Sequence, residues 1–204
     1  VQRLAQPNQR LDDMMDATGI PYSAGNAHAH SAMMLFSLEL NCAPEVIVET
    51  GTFYGYTTWY LAQACLFQGF GKVYTIDPEP KLIPDKVRNH PNVEVITGKS
   101  QEVLPGLLKK LGEVQVAFLD AYKRQCLQEI TIVNDFIPEG GLIITHDTAM
   151  LNTGETLANI AYSLSNYDTM LFAGRPHKDD PHKFFGNADD RGLMVLRKRE
   201  TDPF

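Results

Sequence analysis

The sequence of 204 residues lacks the features of several common protein classes. Its three cysteines, Cys42, Cys65 and Cys126, form no C-x-x-C pair, which argues against a zinc cluster or a disulfide framework. Free thiols fit a reducing compartment, so we expect a cytoplasmic protein. No apolar run approaches the ~20 residues that span a membrane. No secretory signal is visible, although the chain begins at Val1 without methionine, which leaves targeting open.

Basic residues are also few. Lys and Arg number 18 against 25 Asp and Glu, and the formal charge is -7. This balance argues against a general nucleic-acid-binding protein, which would usually be basic. With 44% apolar and 21% charged residues, the composition is that of one globular domain with a sizeable core. We expect a small-molecule substrate and no nucleic-acid or membrane partner. The oligomeric state stays open, with a homodimer as one option.

Strand and helix patterns alternate along most of the chain. Short apolar runs predict strands at residues 46–48, 72–76, 93–97, 114–119, 141–145, 168–173 and 192–197. Helical patterns lie between them at residues 57–67, 81–88, 101–111, 123–136 and 155–164. The alternation predicts an α/β fold with a doubly wound, mostly parallel seven-stranded sheet and helices on both faces. Residues 1–44, with helices predicted at 10–17 and 28–40, form a helical lead-in over the ligand site, and residues 45–204 form one globular unit.

The most informative segment joins the first predicted strand to its helix. Glu49 ends the strand, Gly51 can adopt backbone angles closed to other residues, and Gly55 lets the main chain approach a ligand. A dinucleotide fold would need G-x-G-x-x-G, with the helix N-terminus aimed at a pyrophosphate. Here an acidic residue precedes the first glycine, and a carboxylate repels phosphate but attracts a cation.

S-adenosylmethionine suits this loop better than NAD, because it carries a sulfonium and an ammonium group and no phosphate. The alternative is an ordinary tight turn between strand and helix. On the first interpretation, we expect cofactor contacts from the loop residues Glu49, Gly51, Thr52, Phe53, Gly55, Tyr56 and Thr57.

Polar residues follow the next two predicted strands. In a parallel sheet the carboxyl ends of the strands lie at the same edge, so these residues would lie close to the loop after the first strand. Asp77 ends the second strand, where a carboxylate can accept both ribose hydroxyls or merely initiate a turn before Pro78. Gly98, Ser100 and Gln101 follow the third strand. Ser100 and Gln101 either bond an adenine edge or serve only as a helix N-cap and a solvated residue.

Asp120, His146 and Asp147 end the fourth and fifth strands, which lie side by side in such a sheet. Two carboxylates and an imidazole can hold one divalent cation. The alternative is a helix cap at Asp120 and a turn at His146-Asp147. Lys123 follows Asp120 by three residues and is the candidate general base, because a nearby cation favours its neutral form. Alone, it would be a solvated surface lysine.

These residues resemble the class I S-adenosylmethionine-dependent methyltransferases, and most of all the cation-dependent catechol O-methyltransferase group, over about residues 45–165. Residues 49–57 match the motif E-x-G-x-x-x-G-Y-S/T, and Asp77 stands where the family places its ribose-binding acid. Residues 98–105 are similar to G-x-S-Q-x-x-x-P, and residues 118–123 to F-L-D-x-W-K. The resemblance implies that Asp120 binds Mg²⁺, that Lys123 is the base, and that Asp120 and Tyr122 lie beside the cofactor.

The sequence departs from the family at several points. His146-Asp147 stands where catechol methyltransferases typically have Asp-Asn, and histidine suits a transition metal better than magnesium. Ala121 replaces a histidine often seen near adenine. The family's late substrate-binding acid has no assigned counterpart, and Asp189 and Asp190, in the loop before the last predicted strand, are candidates for it. The charged and aromatic segment 174–191 is either a lid or a solvated connection.

The sequence therefore predicts an S-adenosylmethionine-dependent O-methyltransferase, assisted by a divalent cation, for a small catechol-like molecule. Mg²⁺ is the expected cation, with another metal as the alternative. Two other functions stay open: a metal-independent methyltransferase with His146 as base, and a non-catalytic protein that binds S-adenosylmethionine.

Overall fold

The computed structural model describes residues 19–20, 29–80, 83–122, 125–148, 164–172, 176–177, 180–184 and 192–200. Several predictions fall outside these ranges: the helix at 10–17, all of the helix at 155–164 except Leu164, and the side chains of Lys123, Asp189 and Asp190. The boundary between a lead-in and a globular domain at residue 44 stays a prediction.

Seven strands form one sheet, in the order β3-β2-β1-β4-β5-β9-β6. Their bounds are β1 Val46–Thr50, β2 Lys72–Asp77, β3 Val93–Thr97, β4 Val116–Leu119, β5 Leu142–His146, β6 Tyr167–Phe172 and β9 Leu193–Lys198. The first five are mutually parallel, and β9 runs antiparallel to both β5 and β6. This confirms the doubly wound, mostly parallel sheet.

Helices cover both faces of this sheet. They are α1 Ala29–Cys42, α2 Tyr56–Gln68, α3 Asp85–Arg88, α4 Ser100–Leu111 and α5 Cys126–Val133, the last continued by a 3₁₀ turn over Asn134–Phe136. Successive strand residues point to opposite faces. Ile47 therefore packs with Leu35 of α1 and Leu61 of α2, whereas Val48 packs with Leu104 of α4 on the other side.

The central strands form because they are apolar on both faces. All four residues of β4 and all five of β5 are buried, as in parallel sheets covered by helices. The predicted helix at 81–88 is shorter in the structure, where a single turn begins at Asp85. Pro84 is the N-cap residue of that turn, with an extended ψ of 148° that is not helical.

One element was not predicted. Pro176–His177 and Asp180–Phe184 form β7 and β8, a two-stranded antiparallel hairpin outside the main sheet. Segment 174–191 is therefore not wholly irregular. In the described part of the chain, none of the helices has the length and apolar character needed to cross a membrane.

Candidate active site

A cavity of about 340 Å³ opens at the carboxyl edge of the parallel strands. This is where open α/β sheets bind ligands. Its walls come from the ends of β1, β2 and β4 and from the starts of α2 and α4. The lining residues are Gly51, Thr52, Phe53, Tyr56, Thr57, Ile76, Asp77, Pro78, Lys99, Ser100, Asp120, Ala121, Tyr122 and Gln125.

Most of the predicted cofactor residues line this cavity: Gly51, Thr52, Phe53, Tyr56, Thr57, Asp77, Ser100, Asp120 and Tyr122. Glu49, Gly55, Gly98 and Gln101 are not part of its lining. Sequence reasoning missed Lys99 and Gln125 as lining residues. Lys99 adjoins the predicted Ser100, but Gln125 lies five residues past Asp120 with no motif to mark it.

Two glycines shape the loop after β1, for different reasons. Gly51 has φ +86°, and a Cβ there would lie 2.6 Å from the carbonyl oxygen of Asp120. Gly55 has φ +75°, and a Cβ there would lie 2.8 Å from Cγ1 of Val87. Gly51 therefore allows β1 and the end of β4 to meet closely. The space beside Gly55 is taken by Val87, so this glycine serves packing of the loop against α3.

Glu49 lies beneath the loop and is fully buried. Thr57 donates to its Oε1 at 2.6 Å, while Thr58 and Thr75 donate to Oε2 at 2.5 and 2.7 Å. Burial raises the pKa of Glu49 to about 7, although the three hydroxyls oppose that shift. The side chain thus ties β1 to α2 and β2, and a direct contact with the cofactor stays a prediction.

A second buried acid lies nearby on α1. The pKa of Glu39 is raised well above its usual range by burial and by the charge of Glu49. Neither of its carboxyl oxygens has a hydrogen-bond partner within the described ranges. Burial therefore favours the protonated form of Glu39, because an ionised carboxylate without partners would be strongly destabilising at such a site.

Replacing Glu49 with Gln should flatten the dependence of stability on pH. The native protein keeps the Glu49 proton up to pH about 7, whereas an ordinary glutamate loses it near 4.5. Between these values the native state binds more protons, so rising pH destabilises it. We therefore compare the thermal unfolding midpoints of Glu49→Gln and wild type at each pH. The midpoint of the variant minus that of wild type should increase between pH 4.5 and pH 7 and stay constant above pH 7. The exposed Glu102→Gln is the control, and parallel profiles for wild type and Glu49→Gln would contradict the assignment.

Asp77 makes the turn considered for it and also lines the cavity, while its bond to a ribose stays a prediction. Its Oδ2 accepts the backbone N–H of Phe53 at 2.8 Å, and its Oδ1 accepts that of Glu79 at 2.7 Å. The bond to Glu79 is the expected turn, while the bond to Phe53 fixes the glycine loop, where Phe53 has φ +50°. Each carboxylate oxygen keeps a further lone pair that can face a ribose hydroxyl.

Ser100 and Gln101 are neither a cap nor a solvated residue. Lys99 is the N-cap of α4, without a side-chain capping bond, and Ser100 is the first helical residue. The Nε2 atom of Gln101 is buried and finds no partner among the described residues. The hydroxyl of Ser100 donates to the buried carboxylate of Glu129, on α5.

Asp120, His146 and Asp147 meet beside the cavity, as the sheet logic predicts. Nδ1 of His146 lies 3.4 Å from Oδ1 of Asp120 and 3.2 Å from Oδ1 of Asp147. One potential ligand atom from each residue lies within 4.8 Å of the others. Asp120 is not a helix cap, because Gln125 occupies that position for α5.

The backbone at Asp147 is also unusual. It has φ +61°, in the left-handed region that few residues other than glycine adopt. Such strain is concentrated at functional sites, where the surroundings hold it in place. Two crowded carboxylates need a positive partner. The oxygen, oxygen and nitrogen donors of this cluster therefore fit a divalent cation.

Comparison with known proteins agrees with the geometry. The model of a methyltransferase domain family matches residues 48–148, from β1 to the end of the Asp147 turn. No curated protein matches the sequence. Among solved structures, the O-methyltransferase TomG of Streptomyces achromogenes, from tomaymycin synthesis and in complex with S-adenosylmethionine, superposes with a TM-score of 0.69 at 16% identity. That match covers 97% of this chain and 93% of TomG.

Two further structures share the fold. An O-methyltransferase of Bacillus cereus in complex with S-adenosylhomocysteine has a TM-score of 0.67 at 18% identity, covering 97% of this chain and 94% of its own. A methyltransferase of Podospora anserina, bound to S-adenosylhomocysteine, has a TM-score of 0.67 at 15% identity, covering 93% and 88%. Residues 48–148 of this chain match a methyltransferase domain family, and the chain has the fold of class I S-adenosylmethionine-dependent methyltransferases.

Proposed function

We propose that this protein transfers a methyl group from S-adenosylmethionine to a hydroxyl of a small, catechol-like molecule, with the help of a divalent cation. One observation carries the proposal. Asp120 lines the cofactor cavity and also lies 3.4 Å from His146 in the Asp120–His146–Asp147 cluster. The methyl donor and the candidate cation site therefore adjoin the same carboxylate.

The walls of the cavity suit S-adenosylmethionine. Asp77 offers carboxylate oxygens to the ribose, and Ser100 also lines the cavity. The fold neighbours TomG and the Bacillus cereus enzyme were solved with S-adenosylmethionine and S-adenosylhomocysteine. Tyr122 also lines the cavity and is 67% exposed, and its ring is proposed to cover the bound cofactor.

Asp120, His146 and Asp147 would hold the cation. When bound, a divalent cation there would lower the pKa of an acceptor hydroxyl and orient it. Mg²⁺ prefers oxygen donors, while a set with one imidazole also suits Mn²⁺ or another transition metal. We propose Mg²⁺ as the first cation to test and Mn²⁺ as the second.

The protein's own residues would then complete the reaction. Lys123, which lies outside the described residues, is proposed to take the acceptor's hydroxyl proton. The acceptor oxygen forms its bond to the methyl carbon in line with the breaking carbon–sulfur bond, and S-adenosylhomocysteine leaves as a neutral thioether. The walls of the cavity contribute by positioning the two reactants and by placing charge.

His146 supports a second candidate, a methyltransferase without a metal. Its Nδ1 lies between two carboxylates, at 3.4 and 3.2 Å. Carboxylates so placed orient an imidazole and stabilise its protonated form, as in other acid–base sites. On this alternative, His146 takes the acceptor proton and Asp120 and Asp147 stabilise the resulting charge.

Removal of metal distinguishes the two candidates. The protein is incubated with S-adenosylmethionine and a pool of catechols in three separate reactions, containing EDTA, Mg²⁺ or Mn²⁺. The masses of the products are then measured by mass spectrometry. We expect products one methyl group heavier, loss of at least ~90% of turnover with EDTA, and recovery on adding either metal. Turnover that is the same with and without EDTA would favour the metal-independent mechanism, with His146 as base. Binding of S-adenosylhomocysteine without any product would favour the non-catalytic function.

A further inference from the structure

A buried carboxylate on α5 connects two segments of the cofactor cavity. Glu129 is 0% exposed. Its Oε2 accepts a hydrogen bond from Oγ1 of Thr50 at 3.0 Å, and its Oε1 accepts one from Oγ of Ser100. These partners are 79 and 29 residues away in sequence, so the contact exists only in the folded protein.

One partner lines the cofactor cavity, and the other directly precedes a lining residue. Thr50 ends β1, directly before Gly51, and its carbonyl accepts the N–H of Asp120 at 3.0 Å. Ser100 begins α4 and lines the cavity. A single carboxylate thus holds the glycine loop and the start of α4 in fixed relation, from behind the cavity wall.

If the space beside Thr50 and Ser100 needed only to be filled, a buried carboxylate would be an unfavourable side chain for it. Burying an ionised group costs free energy unless hydrogen bonds compensate it, and an apolar side chain of similar volume would often be as stable. Glu129 is one of four buried residues of α5, and the other three, Cys126, Ile130 and Val133, are apolar. Thr50 and Ser100 each donate a hydrogen bond to this carboxylate, which an apolar side chain could not accept.

The bond also determines what Ser100 can offer a ligand. A serine hydroxyl has one proton to donate and two lone pairs to accept. Because its proton is donated to Glu129, the hydroxyl can present only a lone pair to the cavity. It can then accept a hydrogen bond from an amino group, such as the exocyclic amine of adenine, but it cannot donate to a carbonyl at that position.

We propose that Glu129 is a positioning residue for the adenosine half of the cofactor. It fixes the glycine loop relative to α4 through Thr50, and it makes the Ser100 hydroxyl an acceptor that selects a 6-amino purine. This inference rests on the proposed function only in taking S-adenosylmethionine as the ligand. Glu129 does not contact the reacting atoms, so its effect should appear in cofactor affinity and not in the chemical step.

Binding of two ligands tests the proposal. S-adenosylhomocysteine carries the 6-amino group, and S-inosylhomocysteine carries a 6-oxo group in its place. Calorimetry should show wild type binding the amino ligand at least ~10-fold tighter, as expected when a buried group is left with a mismatched partner. Glu129→Gln should bind S-adenosylhomocysteine about 10-fold more weakly and lose most of the preference, because its amide can donate to Ser100 and free the hydroxyl proton.

Variants of the partners separate the two effects. Thr50→Val removes only the bond to β1, so it should weaken both ligands equally and keep the preference. Ser100→Ala removes the acceptor, so it should reduce the preference. Glu113→Gln, an exposed residue between α4 and β4, removes the same charge and should match wild type. In turnover, Glu129→Gln should raise the KM for S-adenosylmethionine and leave kcat within about threefold.

The outcomes are distinguishable. A folded Glu129→Gln with wild-type affinity and preference would overturn the positioning role while leaving the proposed function intact. If that variant does not fold, unchanged binding by both Thr50→Val and Ser100→Ala would overturn it instead. Wild-type protein that binds neither ligand would overturn the proposed function and this inference together.

Discussion

Replacing Asp120 with Asn is expected to lower kcat/KM by about 10³-fold, the size of loss seen when a group that places charge at a reacting centre is removed. Asn keeps the shape of the side chain but not its charge. The main-chain bond from Asp120 to Thr50, 3.0 Å long, does not depend on the side chain, so the loop should keep its position.

The experiment separates two possible roles of Asp120, one in the chemical step and one in binding the cofactor. If the carboxylate serves the chemical step through the cation, turnover should fall while the affinity for S-adenosylhomocysteine changes less than about 10-fold. Calorimetry with S-adenosylhomocysteine and steady-state kinetics on the same preparation measure the two quantities. Adding Mn²⁺ at increasing concentration should restore part of the activity, since a weakened site is filled at higher metal concentration.

A matched control lies on the 3₁₀ turn after α5. Asp135 is exposed and is not among the residues that line the cavity, so Asp135→Asn should leave kcat/KM unchanged. Asp120→Asn that keeps activity within about twofold of wild type would remove both the cation site and the alternative with His146 as base. A fall in cofactor affinity as large as the fall in turnover would instead reduce Asp120 to a binding residue.

The position of the site was predictable because parallel strands bring their carboxyl ends to one edge. Asp77, Asp120 and His146 each follow an apolar run, and this alone places them together. The glycine spacing after Glu49 further distinguished a methyl donor from a dinucleotide. The same reasoning gave the helices on both faces, because the strand and helix periods alternate cleanly.

The supporting residues were not predictable, because their contacts depend on side chains far apart in sequence. Glu49 was interpreted as facing a cation, yet the structure surrounds it with the hydroxyls of Thr57, Thr58 and Thr75. Of these three residues, only Thr57 belongs to the sequence motif. Glu129 stands in an amphipathic helix where a glutamate usually faces solvent, and only its burial shows otherwise. The β7–β8 hairpin was missed because its strands, two and five residues long, are too short and polar to show a period.

Gly51→Ala should be the most damaging small substitution in the cofactor loop. The glycine has φ +86°, where an alanine costs about 1 kcal/mol of conformational free energy. Its new Cβ would lie 2.6 Å from the carbonyl oxygen of Asp120 and 2.9 Å from Cα of Ala121. Both neighbours are backbone atoms, so either the end of β4 or the loop must move.

We expect Gly51→Ala to lower the free energy of unfolding by about 4 kcal/mol, at the upper end of what single substitutions do. Urea denaturation measures this directly. Cofactor affinity should fall at least ~100-fold in the folded protein, because the displaced Asp120 and Ala121 both line the cavity.

Gly69→Ala separates the backbone strain from the overlap. Gly69 ends α2 with φ +84°, nearly the angle of Gly51, but a Cβ there meets nothing within 4 Å. This variant should lose only about 1 kcal/mol of stability and keep full cofactor affinity. If the two alanines cost the same, the contact between β1 and the end of β4 is looser than the structure indicates. If only Gly51→Ala abolishes binding, that close contact is what holds Asp120 at the cavity wall.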